Sequence, residues 1–278
     1  MCGWDTPCSN SRCYNRIRFI PIDIREFVRL IPAPQLENAS AEDIVAWAVD
    51  TFGDRLAVVT SFQSEGMVLV DMAARRRKDV RLVTLDTGRL PAETYDMIEA
   101  VRSRYGVSVE VVCPEASEIE AMVSKNGPNL FYESVAHRSA CCHIRKVRPL
   151  NRKLAGFDAW LTGLRRSQSN TRDTVARIAE DQGRWKISPL AEWSAEDVEA
   201  YTRDHDVPRH PLYAKGYTSI GCAPCSRATA PGEEERAGRW WWETGTAKEC
   251  GLHFTPEGRV LRTADVLIHE ILGNSNAA

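Results

Sequence analysis

The sequence predicts a doubly wound α/β protein on a mostly parallel sheet, followed by a loop-rich C-terminal segment. Two observations carry this. Short apolar runs alternate with helix-patterned stretches at the spacing of strand–helix–strand units. A chain of 278 residues, 43% of them hydrophobic, is also long enough for one large domain with a buried core.

The elements follow in order. SAEDIVAWAVDTFG, from Ser40 to Gly53, has a serine start, Asp43 three residues on and a glycine stop, which predicts a capped helix. LAVVTS (56–61) reads as a buried strand and EGMVLVDMAARR (65–76) as a helix. RLVTLD (81–86), PAETYDMIEAVRSRYG (91–106) and VSVEVVC (107–113) repeat the pattern as strand, helix and strand. A helix carrying Cys141 and Cys142 precedes a fourth strand at 159–163. Beyond Pro189 the chain is less regular: a helix capped by Ser194 ends before Pro208, and ADVLIHEILG is helix-like. Residues 1–36 read as an extension, 37–240 as the α/β domain and 241–278 as a tail. In open α/β sheets the ligand sits beyond the carboxyl ends of the strands. That rule selects SFQSEG, DTGRLP and GLRRSQSNTR.

A net charge of −2 supplies no global attraction to nucleic acid or membrane, so any anion site is local. No apolar run approaches the roughly 20 residues of a membrane span, and the N-terminus lacks the apolar core of a secretory signal. A cytoplasmic, reducing setting is expected, and there nine cysteines call for something other than disulfides. The irregular spacing of Cys2, Cys8 and Cys13 fits incidental thiols better than a metal site.

Three motifs carry chemistry. SFQSEG joins a strand to a helix, where backbone N–H groups and the helix dipole favour an anion; a plain turn is the alternative. No GxxxxGK[ST] is present, which argues against ordinary triphosphate hydrolysis. Cys141 and Cys142 are adjacent, and Cys222 and Cys225 form a CxxC pair. Vicinal cysteines suit the single point of a zinc site poorly, whereas an iron–sulfur cube offers separate corners. A buried pair plus an unrelated redox CxxC remains open. The cations of HIRKVR (143–148) would offset a cluster's negative charge, with Lys146 between it and an anionic substrate. Cys250, in KECGLH beside Lys248 and His253, is either an activated thiol or an inert one. GEEERAGRW reads as a helix with Arg236 and Arg239 on one face. The three tryptophans at 240–242 read as packing residues.

SFQSEGMVLVDMA, LDTGRLPAETYD, ACCHIRKVRPLNRKLAGFDAWLTGLRRSQSNTR, IGCAPCSRATAPGEEERAGRWWWE and KECGLH follow one another over about residues 55–255. In that order they resemble the assimilatory, thioredoxin-dependent adenylylsulfate reductases of the PAPS reductase family. The resemblance implies a sheet of the PP-loop, adenine nucleotide alpha hydrolase-like type. It implies reduction of adenosine 5′-phosphosulfate (APS) to sulfite and AMP, in sulfate assimilation toward cysteine. Cys250 would be the nucleophile, thioredoxin or glutaredoxin the reductant, and one 4Fe–4S cluster would be held by Cys141, Cys142, Cys222 and Cys225. Substrate contacts would come from Ser61, Gln63, Lys146, Arg165, Arg166, Arg236, Arg239 and His253, with residues 86–88 near the nucleoside. Reduction of the 3′-phosphorylated substrate PAPS, or of both, is the runner-up. An ATP-using adenylating enzyme is disfavoured, because SFQSEG departs from an SGGxDS-like loop. Neither nucleic acid nor membrane is expected as a partner, and the oligomeric state, homo-oligomer or monomer, stays open.

Overall fold

A computed structural model describes residue 36 and residues 38–169, 171–244, 249, 251 and 258–273. Six strands form one sheet: β1 (Leu56–Val59), β2 (Arg81–Leu85), β3 (Val109–Val112), β4 (Ala159–Leu161), β5 (Ile178–Asp181) and β6 (Arg184–Ile187). Their order is β3-β2-β1-β4-β6-β5. Every neighbouring pair is parallel except the β5–β6 hairpin. The chain runs outward from β1 to β3 on one side and resumes at β4 on the other. The switch point therefore lies between the carboxyl ends of β1 and β4, where a crevice opens in such sheets.

Helices cover both faces. α1 (Ala41–Phe52), α2 (Ser64–Arg76), α3 (Ala92–Tyr105) and α7 (Ala195–Asp204) bury their apolar sides against Leu56, Val58, Leu82 and Leu161. The alternate strand residues Ala57, Val83 and Trp160 face the other way, onto Leu150 and Leu154 of α6 (Arg148–Leu154). This is the doubly wound arrangement read from the sequence. Ser40 caps α1 by accepting the Asp43 N–H at 3.0 Å, and Ser194 caps α7 through a reciprocal box with Asp197. The predicted 1–36 extension, with Cys2, Cys8 and Cys13, lies outside the described residues except for Leu36, which packs on the first core.

Two features escape the sequence reading. α4 (Ala116–Asn126) buries only Met122 outright, so its apolar stripe is thin. The β5–β6 hairpin turns through Gln182 and Gly183, both at positive φ (52° and 76°), which is the twist-matched two-residue turn. Gln–Gly is a weaker signal than Asn–Gly, and most strand residues there are half-buried on both faces, so no alternation shows.

A smaller core sits beside the sheet. Met122, Leu130, Phe131 and Ile144 pack around the four cysteines with Trp240 and with Ile271 of α8 (Gly258–Leu272). Among the described residues no helix is long and apolar enough to cross a membrane.

The close approach of β4's exit to α2 rests on Gly163. A Cβ there would meet the Glu65 Cβ at 2.8 Å and the Gly66 nitrogen at 3.1 Å. We expect Gly163→Ala to cost about 1–3 kcal/mol through overpacking. The check is a lower urea midpoint at unchanged m-value.

Candidate active site

Three segments meet at the switch point. After β1 the chain turns tightly: Thr60 Oγ1 accepts the Phe62 N–H at 2.9 Å, and buried Phe62 sits at φ 58°. Such a conformation costs a non-glycine residue about 1–3 kcal/mol and marks a site the surroundings impose. Not all of the turn's N–H groups are available to an anion. The Ser64 N–H donates to the Tyr213 hydroxyl at 3.1 Å. Gln63 is also committed, accepting the Ile220 N–H at 2.7 Å and donating to Ser61 Oγ at 3.0 Å. It ties the loop to the strand of chain leading into Cys222.

Around this turn lies a cleft of about 1120 Å³, open mouth included. Ser61, Gln63, Thr87, Thr162 and Gly163 line it from the sheet; Lys146, Arg172, Arg236 and Arg239 supply cations, and Glu65, Glu235 and Glu249 supply carboxylates. Most of the carboxylate charge is matched locally. Arg165, 2% exposed, donates to Glu65 at 2.8 Å and to Glu235 at 3.1 Å. Burial, and then the neighbouring Glu65, raise the Glu235 pKa in spite of Arg165. Arg172 forks onto Glu249 at 3.0 and 2.9 Å. Burial alone would raise the Glu249 pKa, but the Arg172 hydrogen bonds and the Arg236 charge hold it below the ordinary value.

Arg236 and Arg239 reach the cleft, yet not from a helix as the sequence suggested. Residues 231–240 form successive turns, with the Arg239 N–H donating to the Arg236 carbonyl at 3.0 Å. Gly238 explains this: a Cβ would lie 2.3 Å from the Arg227 carbonyl oxygen, and the same two residues share a backbone hydrogen bond at 3.0 Å. The cross-strand pairing pulls the segment out of helical form. Arg239 is buried, stacks 4.6 Å over Trp240 and reaches the Cys225 carbonyl at 3.3 Å.

Behind the cleft is a second, smaller chamber. Cys141, Cys142, Cys222 and Cys225 line it together with Arg89, Phe131, Arg138, Arg145, Lys146 and Trp240. Lys146 and Trp240 line both cavities and so form their common wall. The helix that carries the vicinal cysteines produces this placement. α5 (Val135–Cys142) passes into α6 through a π-helical turn, His143–Val147, in which the Arg148 N–H bonds to the His143 carbonyl. Pro149 has no N–H and its ring crowds the carbonyl four residues back; the widened turn just before it relieves that conflict. Arg145, four residues beyond Cys141, is buried and donates to the Thr87 carbonyl at 2.6 Å.

All four cysteines are buried and outside any disulfide. Burial, and then the neighbouring cysteines, push the Cys141 and Cys225 thiols up to about 12. Burial works the same way on Cys222, but Lys146 and a 3.2 Å contact with Thr87 Oγ1, with Arg239 and Arg145 behind them, bring it down overall. Among the described residues no three His, Cys, Asp or Glu converge on one metal-ion position. The four cysteines line the smaller chamber.

The structure thus brings Ser61, Gln63, Lys146, Arg236 and Arg239 to one cleft. It keeps Arg165 out of the cleft lining, paired to the cleft carboxylates Glu65 and Glu235, and Arg166 on another face with Glu192 and the Val175 carbonyl. Thr87 borders the cysteine chamber as well as the cleft. Cys250 and His253 lie outside the described residues. Arg172, Gln168, Trp240 and Glu249 were not singled out from the sequence as cleft residues. The first two fall in the loop after β4, and that loop's position was the available signal.

Fold and site define a nucleotide-type α/β protein with a cationic cleft at the sheet's switch point, backed by four buried thiols. Residues 55–228 match the phosphoadenosine phosphosulfate reductase domain. The adenosine 5′-phosphosulfate reductase of Burkholderia cepacia is 48% identical over 73% of this chain and 82% of its own length. That of Allochromatium vinosum is 50% identical over 72% and 79%. The phosphoadenylyl-sulfate reductase of Candida auris, solved as a phosphate complex, superposes at a TM-score of 0.58 with 31% identity, over 69% of this chain and 92% of that one. The chain belongs to the phosphoadenosine phosphosulfate reductase family of sulfur-group oxidoreductases.

If the cleft takes an oxyanion, inorganic sulfate should raise the melting temperature. Arg236→Gln removes a charged donor worth about 1.5–3 kcal/mol, so apparent sulfate affinity should fall roughly 10- to 150-fold. An unchanged sulfate titration would place the anion elsewhere.

Proposed function

We propose that this protein reduces adenosine 5′-phosphosulfate to sulfite and AMP in sulfate assimilation. The observation that carries the reading is the shared wall of Lys146 and Trp240 between the cationic cleft and the four-cysteine chamber. Relatives called adenosine 5′-phosphosulfate reductase, at 48% and 50% identity, support that substrate over its 3′-phosphorylated form.

The reaction takes two steps. The Cys250 thiolate attacks the sulfate sulfur, forming an S–S bond as the S–O bond to phosphate breaks and AMP leaves. A thiolate of a dithiol reductant of the thioredoxin or glutaredoxin type then attacks the Cys250 sulfur and expels sulfite. The reductant's second thiol resolves the mixed disulfide, so two thiols are oxidised for each sulfate reduced. Splitting the transfer through a covalent S-sulfocysteine replaces one hard step by two easier ones.

Charge is the obstacle. Two like unit charges 4 Å apart repel by about 4 kcal/mol at an effective dielectric near 20, equivalent to roughly a thousandfold in rate. Lys146, Arg236 and Arg239 line the cleft and would offset that repulsion, and an arginine fork suits sulfate and phosphate oxygens. The opposing field of Glu65 and Glu235 is reduced, since Arg165 pairs with both and offsets one of their two charges, and burial beside Glu65 raises the Glu235 pKa.

We read the chamber as the seat of a 4Fe–4S cluster, with Cys141, Cys142, Cys222 and Cys225 as the residues that would hold it. Four cysteines lining one chamber suit the separate iron corners of a cluster, and the thiols of Cys141 and Cys225, which burial pushes toward the protonated form, would give up their protons on binding metal. When bound, such a cluster supplies a fixed negative charge beside Lys146. The chain's own cations, Lys146, Arg145 and Arg239, surround that position.

Incubating the anaerobically purified protein with sulfur-labelled APS and no reductant should leave label on the peptide containing Cys250. Cys250→Ser should remove that label and keep any visible cluster absorption, whereas Cys141→Ser should lose the absorption. Absence of label on the wild-type protein would refute the covalent route. Side-by-side rates with APS and its 3′-phosphorylated form would test the choice of substrate.

A further inference from the structure

Glu249 immediately precedes Cys250 and is held inside the cleft rather than at its rim. It is 9% exposed, and its carboxylate receives both arms of Arg172, at 3.0 Å from Nε and 2.9 Å from Nη2. Thr171 Oγ1 adds a bond at 3.0 Å, Ser169 Oγ one at 3.4 Å and Arg236 one at 3.4 Å. The other end of the residue is held separately. Arg138, 2% exposed, donates through Nη1 to the Glu249 carbonyl at 2.6 Å, while its Nε pairs with Glu243.

The two grips come from unrelated parts of the fold. Arg172 stands in the loop after β4, and Arg138 stands on α5 one turn before Cys141. Gln168 links the first grip inward, donating to Glu65 at 2.8 Å and accepting from Arg172. Bidentate, charge-assisted bonds fix orientation as well as position. Successive α-carbons are about 3.8 Å apart, so a hold on Glu249 bears directly on its covalent neighbour in the chain.

We infer that Glu249 is a positioning residue: its carboxylate on Arg172 and its carbonyl on Arg138 dock the chain so that Cys250 is presented to the sulfate sulfur. This rests on the reaction proposed above. Arg236 touches both Glu249 and the cleft, so the dock sits beside the substrate's anionic groups without occupying all of the cations. The linkage through Arg138 also makes the dock depend on the helix that carries Cys141 and Cys142.

Two measurements test the dock, one independent of the reaction. Trypsin cleavage after Lys248 reports whether position 249 is held. Arg172→Gln leaves the cleaved sequence unchanged and should speed that cut about tenfold or more, in keeping with the loss of a charged fork. An unchanged rate in a variant with native circular dichroism overturns the inference. The second measurement is single-turnover transfer of label from APS at saturating concentration. Glu249→Gln should slow it about tenfold or more, with AMP affinity within about twofold of wild type, and Glu249→Asp should restore part of the rate. A merely structural defect would weaken AMP binding in parallel; equal rates for wild type and Glu249→Gln overturn the inference. Should the wild type take up no label, the proposed reaction fails while the proteolysis contrast still decides the dock.

Discussion

Everything at this end of the sheet is arranged around buried charge. Four thiols, three carboxylates and at least five arginine or lysine side chains crowd the space beyond β1 and β4. Removing one member of a buried ionic set leaves its partner uncompensated at a cost of several kcal/mol. Arg165 answers Glu65 and Glu235, Arg172 answers Glu249, and Arg138 answers Glu243. Once those pairs are made, Lys146 and Arg239 are the cations whose charges most clearly reach the cysteine chamber.

The helix between the cysteines and Leu154 is interrupted just before Pro149. A regular α-helix would place Pro149 against the Arg145 carbonyl. The π-helical turn widens the path at that point, and Lys146 lies on the partition between the two cavities. The C-terminal region meets the same helix from the other side. Trp240 lies beneath the guanidinium groups of Arg138 and Arg239, at 4.4 and 4.6 Å, with Arg236 at 5.9 Å. Each cation is attracted to the indole ring, which offsets part of their mutual repulsion. The tryptophan run is therefore not uniform: Trp240 is buried structure in the site, whereas Trp241 is half exposed.

The sheet and the site thus share their supports. Gln63 joins the β1 turn to the approach of Cys222, and Thr87 joins the β2 turn to Cys222 and Arg145. Loops that would elsewhere only close over ligand here also brace the cysteine chamber. Loss of that chamber's integrity would be felt directly at the strand ends.

Local chemistry was legible in the sequence by itself. Apolar periodicity marked β1 to β4 and most helices, serine caps marked where α1 and α7 begin, and the vicinal and CxxC cysteines marked themselves. These signals act within a few residues, so one sequence carries them. What only the tertiary structure decided depends on groups distant along the chain. Of the adjacent Arg165 and Arg166, one is buried between Glu65 and Glu235 and the other turns to Glu192 on another face. Arg172 meets Glu249 across 77 residues. The Arg236 segment abandons its helical pattern because Gly238 packs on Arg227. An arginine's role is set by which carboxylate packing brings to it, and that is a property of the fold.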